Sequence, residues 1–141
     1  MSTKNILTTI QNYILDNFNE CGVKTQGNTE VIIAGAPHET TQVDEFVELS
    51  TFIVDKDRAY LTGDKSTGQE VTGFVRFSIF NATGNNYRGA EIVDILDGLL
   101  SETIVQDTAK IRFYGFSLIL SGENQDHKKY ETVINFPFTS K

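Results

Sequence analysis

Hydrophobic residues recur with a helical period in only two stretches of this chain, and almost everywhere else they alternate. Ile6, Ile10, Tyr13, Ile14 and Phe18 fall at the spacing that stacks side chains on one helix face. Lys4, Thr8, Gln11, Asn12, Asp16 and Asn19 fill the opposite face, Ser2 or Thr3 can cap the start, and Gly22 follows the end. Ile92, Ile95, Leu96, Leu99 and Leu100 repeat the pattern, with Asp94, Asp97 and Glu102 outside it. Both stripes are expected to be core faces, each large side chain contributing roughly 1.5–3 kcal/mol when fully buried.

The other apolar segments carry the period of strands. Residues 31–34 form a short one ending at Gly35-Ala36-Pro37. Residues 46–54 set Val47, Leu49, Thr51 and Ile53 against Phe46, Glu48, Ser50 and Phe52, and residues 70–80 set Val71, Val75, Phe77 and Ile79 against Thr72, Arg76 and Ser78. Residues 110–120 change parity at Gly115: Ile111 and Phe113 share one, Phe116, Leu118 and Leu120 the other. A bulge at Gly115 is therefore predicted, because one extra residue returns the apolar set to the same face. Residues 130–138 place Tyr130, Thr132, Ile134, Phe136 and Phe138 on one side, and Pro137, lacking an N–H, predicts an edge or the end of pairing.

Polar residues 55–69 and 121–129 predict two hairpin loops, and 81–87 join a strand to the second helix. The order is helix-strand-strand-strand-helix-strand-strand. It predicts an α+β fold, a mostly antiparallel sheet of four to five strands packed with two helices. At 141 residues, with no repeat or composition break, residues 1–141 are expected to form a single domain.

Twelve basic against nineteen acidic residues give a net charge of −7, which argues against a nucleic-acid or anionic-membrane binder built on a basic face. A lone Cys21 excludes an intramolecular disulfide framework. The start, Met1-Ser2-Thr3-Lys4-Asn5, leads into an amphipathic stretch, so neither a secretory leader nor a membrane span is expected. A soluble protein of a reducing compartment is the expectation.

Motifs for chemistry are incomplete throughout. Gly84-Asn-Asn-Tyr-Arg-Gly89 lies between a strand and a helix, but Ala90 and Glu91 follow where a phosphate loop needs Lys and Ser/Thr. That glycine spacing reads as a turn into the helix. His38-Glu39-Thr40-Thr41-Gln42 lacks the second histidine of a zinc helix, and His127 sits in a polar hairpin. Asp55-x-Asp57 opens like a calcium loop, but Ala59 and Tyr60 follow and Lys56 and Arg58 flank it. Cys21 has no nucleophile signature, no serine sits in a Gly-x-Ser-x-Gly elbow, and Asn81-Ala82-Thr83 is a sequon without a secretory context. No catalytic, cofactor or metal site is expected, and long polar loops suggest contacts with other proteins.

The arrangement resembles a known family. The N-terminal helix, residues 46–54, the polar connection, Gly73-Phe74-Val75-Arg76-Phe77-Ser78-Ile79-Phe80, the loop through Tyr87-Arg88-Gly89, the helix at 92–100 and the closing Asn135-Phe136-Pro137-Phe138 are similar in order to the tail terminator (tail completion) proteins of long-tailed bacteriophages, typified by that of phage lambda. The resemblance implies a structural virion protein, not an enzyme. It implies a homo-hexameric ring, assembled in the host cytoplasm, that caps the head-proximal end of the tail tube and stops its polymerisation. Its partners are then a second copy of itself, the tail tube protein and a head-completion or connector protein, with DNA only as passing cargo. An acidic lumen is compatible with that passage. On this reading Tyr60, Asp64, Lys65 and Gln69 contact a neighbouring subunit or the tube, and Asn85, Asn86, Tyr87 and Arg88 lie near a subunit boundary. An Arg in such a place can form a charge-assisted bond with a neighbour's carboxylate. Another head–tail connector or minor tail protein is the alternative, and a small α+β ligand-binding domain or enzyme is the alternative of another class.

Overall fold

The computed structural model describes residues 3–18, 30–33, 45–58, 69–82, 86–107, 109–124 and 129–140. The two helical stripes form α1 (Thr3–Asn17) and α2 (Asn86–Leu100). The strands are β1 (Glu30–Ile33), β2 (Phe46–Arg58), β3 (Gln69–Ala82), β4 (Ile104–Gln106), β5 (Lys110–Phe113), β6 (Ser117–Asn124) and β7 (Lys129–Ser140). They make one sheet in the order β1-β2-β3-β7-β5-β4, with β6 also on β7. Because β5 and β6 lie end to end along the same side of β7, seven segments fill six positions. Every pairing is antiparallel except β1 with β2.

The α+β class with a mostly antiparallel sheet and, among the described residues, two helices is as the sequence predicts, but the count of four to five strands is not. The three residues of β4 are too short to display a period, and residues 110–120 are split in two. Both predicted hairpin loops are also shorter than expected. β2 and β3 stay paired from Asp55↔Thr72 to Arg58↔Gln69, and β6 and β7 as far as Asn124↔Lys129. Antiparallel ladders are held by backbone hydrogen bonds, so polar residues continue them where the flanks reach water. Asp55 and Asp57 thus belong to a strand and not to a calcium loop.

Both helices pack on one face of the sheet. Ile6, Ile10, Ile14 and Phe18 from α1 and Ile92, Leu96 and Leu100 from α2 join Val47, Leu49, Val71, Val75, Phe77, Ile79, Ile111, Phe113, Ile134, Phe136 and Phe138 in one buried cluster. The Tyr13 hydroxyl donates to the Leu99 carbonyl at 2.9 Å, tying α1 to α2 and satisfying an acceptor in the last turn of α2. That helix stops where Glu102 adopts φ 57°, the left-handed conformation usual at helix ends.

The predicted bulge at Gly115 is present. Phe113 pairs with Phe138 and Ser117 with Asn135, so Tyr114, Gly115 and Phe116 stand opposite only Phe136 and Pro137. The same bulge corrects the expectation for Pro137, which lies in the middle of the sheet between β3 and β5/β6. Its carbonyl accepts from the Tyr114 N–H at 2.9 Å, so its nitrogen also faces the bulged strand, where the ladder is interrupted and no donor is needed. A second bulge falls between Ile53 and Asp55 of β2. Opposite it, Gly73 admits no side chain: a Cβ there would collide with the Phe52 carbonyl oxygen and stand 2.9 Å from the Phe138 ring.

Candidate interaction surface

The first turn of α2 holds the residues that the sequence places at a boundary. The helix starts at Asn86, earlier than the period of its apolar residues suggests, so Tyr87, Arg88 and Gly89 are helical and not part of a loop. Gly89 is buried against the sheet, where a Cβ would lie 2.9 Å from Thr132 Oγ1 and 3.3 Å from Asn81 Oδ1. Its role is close helix–sheet packing, and not the easing of a turn into the helix.

Arg88 forms a forked pair with Glu45, just before β2. Nε donates to Glu45 Oε2 at 2.9 Å and Nη2 to Oε1 at 2.6 Å, while Nη1 reaches Glu91 Oε2 at 3.5 Å. Both side chains of the main pair are nearly buried, at 12% and 8% exposure. The hydrogen bond to Glu45, then the charges of Glu45 and Glu91, raise the Arg88 pKa against the opposing effect of burial. A raised folded-state value contributes stability that is fully present below the ordinary arginine value. It is lost only above that range, so this contribution is constant through neutral pH. The carboxylate expected from a neighbouring subunit is therefore supplied by the chain itself.

Tyr87, beside it, is 74% exposed. Asn86 begins α2, while Gln69 begins β3 opposite Arg58, at the far end of that strand from α2. Asn86, Tyr87 and Arg88 thus share one helical turn and Gln69 stands apart. Tyr60, Asp64, Lys65 and Asn85 lie outside the described residues, as do Cys21, His38 and His127.

A larger surface lies on β6. Phe116, Leu118, Ile119 and Leu120 are exposed at 38%, 59%, 51% and 50%. The Gly115 bulge does return Phe116 to the helix side, where its ring lies 5.8 Å from Phe136. The expected burial of the following residues fails, because a second irregularity between Leu118 and Leu120 turns Leu120 towards the other face, opposite Val133. Leu118 pairs with Ile134 on the helix side, yet it borders an open groove of about 310 Å³ between β6 and α2. Ala90, Val93 and Asp94 form the α2 wall, with Phe116, Leu118 and Tyr130 opposite. The signal was present in the sequence as a run of ten residues, 113–122, without a charge.

The face opposite the two described helices carries a different chemistry. The Arg76 guanidinium stands 5.5 Å from the Phe52 ring and 5.4 Å from the Phe74 ring, and Nε donates to Asn135 Oδ1 at 3.0 Å. Further along, a shallow cleft of about 320 Å³ is lined by Glu70, Ile104, Lys110, Arg112, Tyr114 and Thr139. Arg112 lies 5.2 Å from the Tyr114 ring and 3.9 Å from Glu102, an exposed pair of little energetic weight. Among the described residues no group of three or more His, Cys, Asp or Glu is placed to hold a metal, and no helix is long and apolar enough to cross a membrane.

No family model and no curated protein matches the chain. The fold is similar to that of a solved structure whose name states no function. The TM-score is 0.73 at 14% identity, over 100% of this chain and 96% of that one. The likeness shows a shared two-layer α+β fold.

Proposed function

We propose that this chain is the tail terminator of a long-tailed bacteriophage. It is a subunit of a ring, expected to be hexameric, that caps the head-proximal end of the tail tube and stops its growth. The finished ring presents a surface to a head-completion or connector protein and lets DNA pass. Its place is the virion, after assembly in the host cytoplasm, and its role is structural. The observation that carries this reading is the apolar edge of β6, with Leu118, Ile119 and Leu120 each at least half exposed. An assembling subunit retains such a surface for its neighbours, whereas monomeric proteins blunt or cover it. The order of elements, from the amphipathic α1 through the strand–loop–helix junction to the closing β7, supports the same family. The net charge of −7 suits a channel that DNA crosses without sticking.

The test is assembly. Purified protein, alone and mixed with tail-tube subunits, is imaged by electron microscopy and weighed by native mass spectrometry. Closed rings and capped tubes of limited length are expected. A chain that stays monomeric, binds no tube end and leaves tube growth unchanged overturns the reading.

A further inference from the structure

We infer that β6 is where one copy of this chain receives the next, and that the strand it receives is β1 of that copy. The inference rests on the ring reading above and names the surfaces that close the ring.

β6 pairs with β7 along one side, and among the described residues its other side has no strand. Its apolar residues point to both faces: Leu118 shares the face of Ile134, Leu120 that of Val133, and Ile119 sits at the irregularity between them. A helix or a loop laid on one face leaves the other wet and leaves the backbone edge unpaired. A strand added along the edge takes up the N–H and C=O groups and shields both faces at once. Between Arg112 and Glu123 no charge or proline blocks that addition. On the helix side, the groove against Ala90 and Val93 has room for alternate side chains of the added strand.

The chain carries the complementary edge. β1 is the outermost strand at the opposite end of the sheet and, among the described residues, pairs with β2 alone. Its sequence, Glu30-Val31-Ile32-Ile33, is apolar at three successive positions. β6 runs opposite to β7, β7 opposite to β3, β3 opposite to β2, and β2 alongside β1. β6 and β1 therefore run in opposite directions, and continuing the sheet from one copy into the next makes an antiparallel ladder, the more stable kind. The helices of both copies then lie on the same side. Each copy uses β6 once and β1 once, so the contact is heterologous and closes as a ring when the rotation per step divides a full turn. A β6–β6 contact consumes the edge and stops at a dimer.

Thiol cross-linking of the full chain in a Cys21→Ser background tests this, with Ile32→Cys in β1, Ile119→Cys in β6 and a short bismaleimide. The doubly substituted protein is expected to give a ladder of covalent oligomers up to the ring number. A mixture of the two single variants is expected to give cross-links that neither variant gives alone. Ile119→Cys alone giving dimers overturns the inference in favour of a two-fold contact. Rings that form by native mass spectrometry without cross-links overturn it and leave the terminator reading standing. Absence of both rings and tube capping overturns that reading as well. A second variant, Leu118→Lys with Leu120→Lys, is expected to stay folded by circular dichroism and to weaken self-association about 100-fold or more, since two charges enter an apolar contact. Folded rings of that variant also overturn the inference, and if it misfolds the cross-linking decides alone.

Discussion

β5 and β6 are two halves of one bulged strand, running along the same partner strand and each turning apolar side chains to the helix side, yet those side chains meet opposite fates. Ile111 and Phe113 of β5 are wholly buried, whereas Leu118, on the same face of β6, is 59% exposed. The difference is not hydrophobicity but what lies above each half. α1 contacts β4 and β5 and closes the layer over Ile111 and Phe113, while α2 leaves the groove beside β6 open. Burial of a strand residue is decided by the layer that covers it, and among the described residues that layer does not extend over Leu118.

The largest effect is expected in the covered half. Phe113 packs against Phe138 with ring centroids 6.1 Å apart and no exposed surface, so Phe113→Ala is expected to cost about 3–5 kcal/mol in urea unfolding. A loss below about 1 kcal/mol contradicts the contrast between the halves. An intermediate effect is expected at Arg88, in the first turn of α2. Arg88→Ala leaves the Glu45 carboxylate nearly buried without its fork and is expected to cost about 3 kcal/mol. Adding Glu45→Gln is expected to recover part of that loss, because a neutral amide costs less to bury alone than a carboxylate. If the double variant is no more stable than Arg88→Ala, the pair is not what holds the helix.

The two helices were legible because a one-sided period survives any topology: Ile6, Ile10, Ile14, Ile92 and Leu96 are all wholly buried. The Gly115 bulge was legible because parity is a local property. The central place of Pro137 is not legible locally, because the bulge that excuses its missing N–H lies in a different strand. For the same reason the intrachain partner of Arg88 is not legible in the spacing: Glu45 is 43 residues away in sequence. The exposure of β6 was hidden from any reading of period, since alternation tells which residues share a face and not whether a helix covers that face. Of the candidate interface residues, Tyr87 is presented to solvent and Arg88 is not, a distinction set by Glu45 and invisible in the spacing.

The smallest effect, and the sharpest test of the contrast, is expected at Leu120. It stands opposite Val133 on the face away from the described helices and is already 50% exposed, so little apolar surface is lost on truncation. Threonine keeps the branching that suits a strand and adds a hydroxyl that water can reach. Leu120→Thr is therefore expected to change the stability of the dilute, unassembled chain by no more than about 0.5 kcal/mol. Assembly alters this, because any surface that binds a neighbour adds apparent stability that grows with protein concentration. Unfolding at several concentrations should then separate the two halves of the strand. The cost of Phe113→Ala stays constant, since the core is complete within one chain, while the cost of Leu120→Thr rises with concentration as the wild type gains from a contact that the variant makes less well. A Leu120→Thr penalty that does not change with concentration assigns β6 to the fold of the single chain, and the contrast between the two halves is then one of degree.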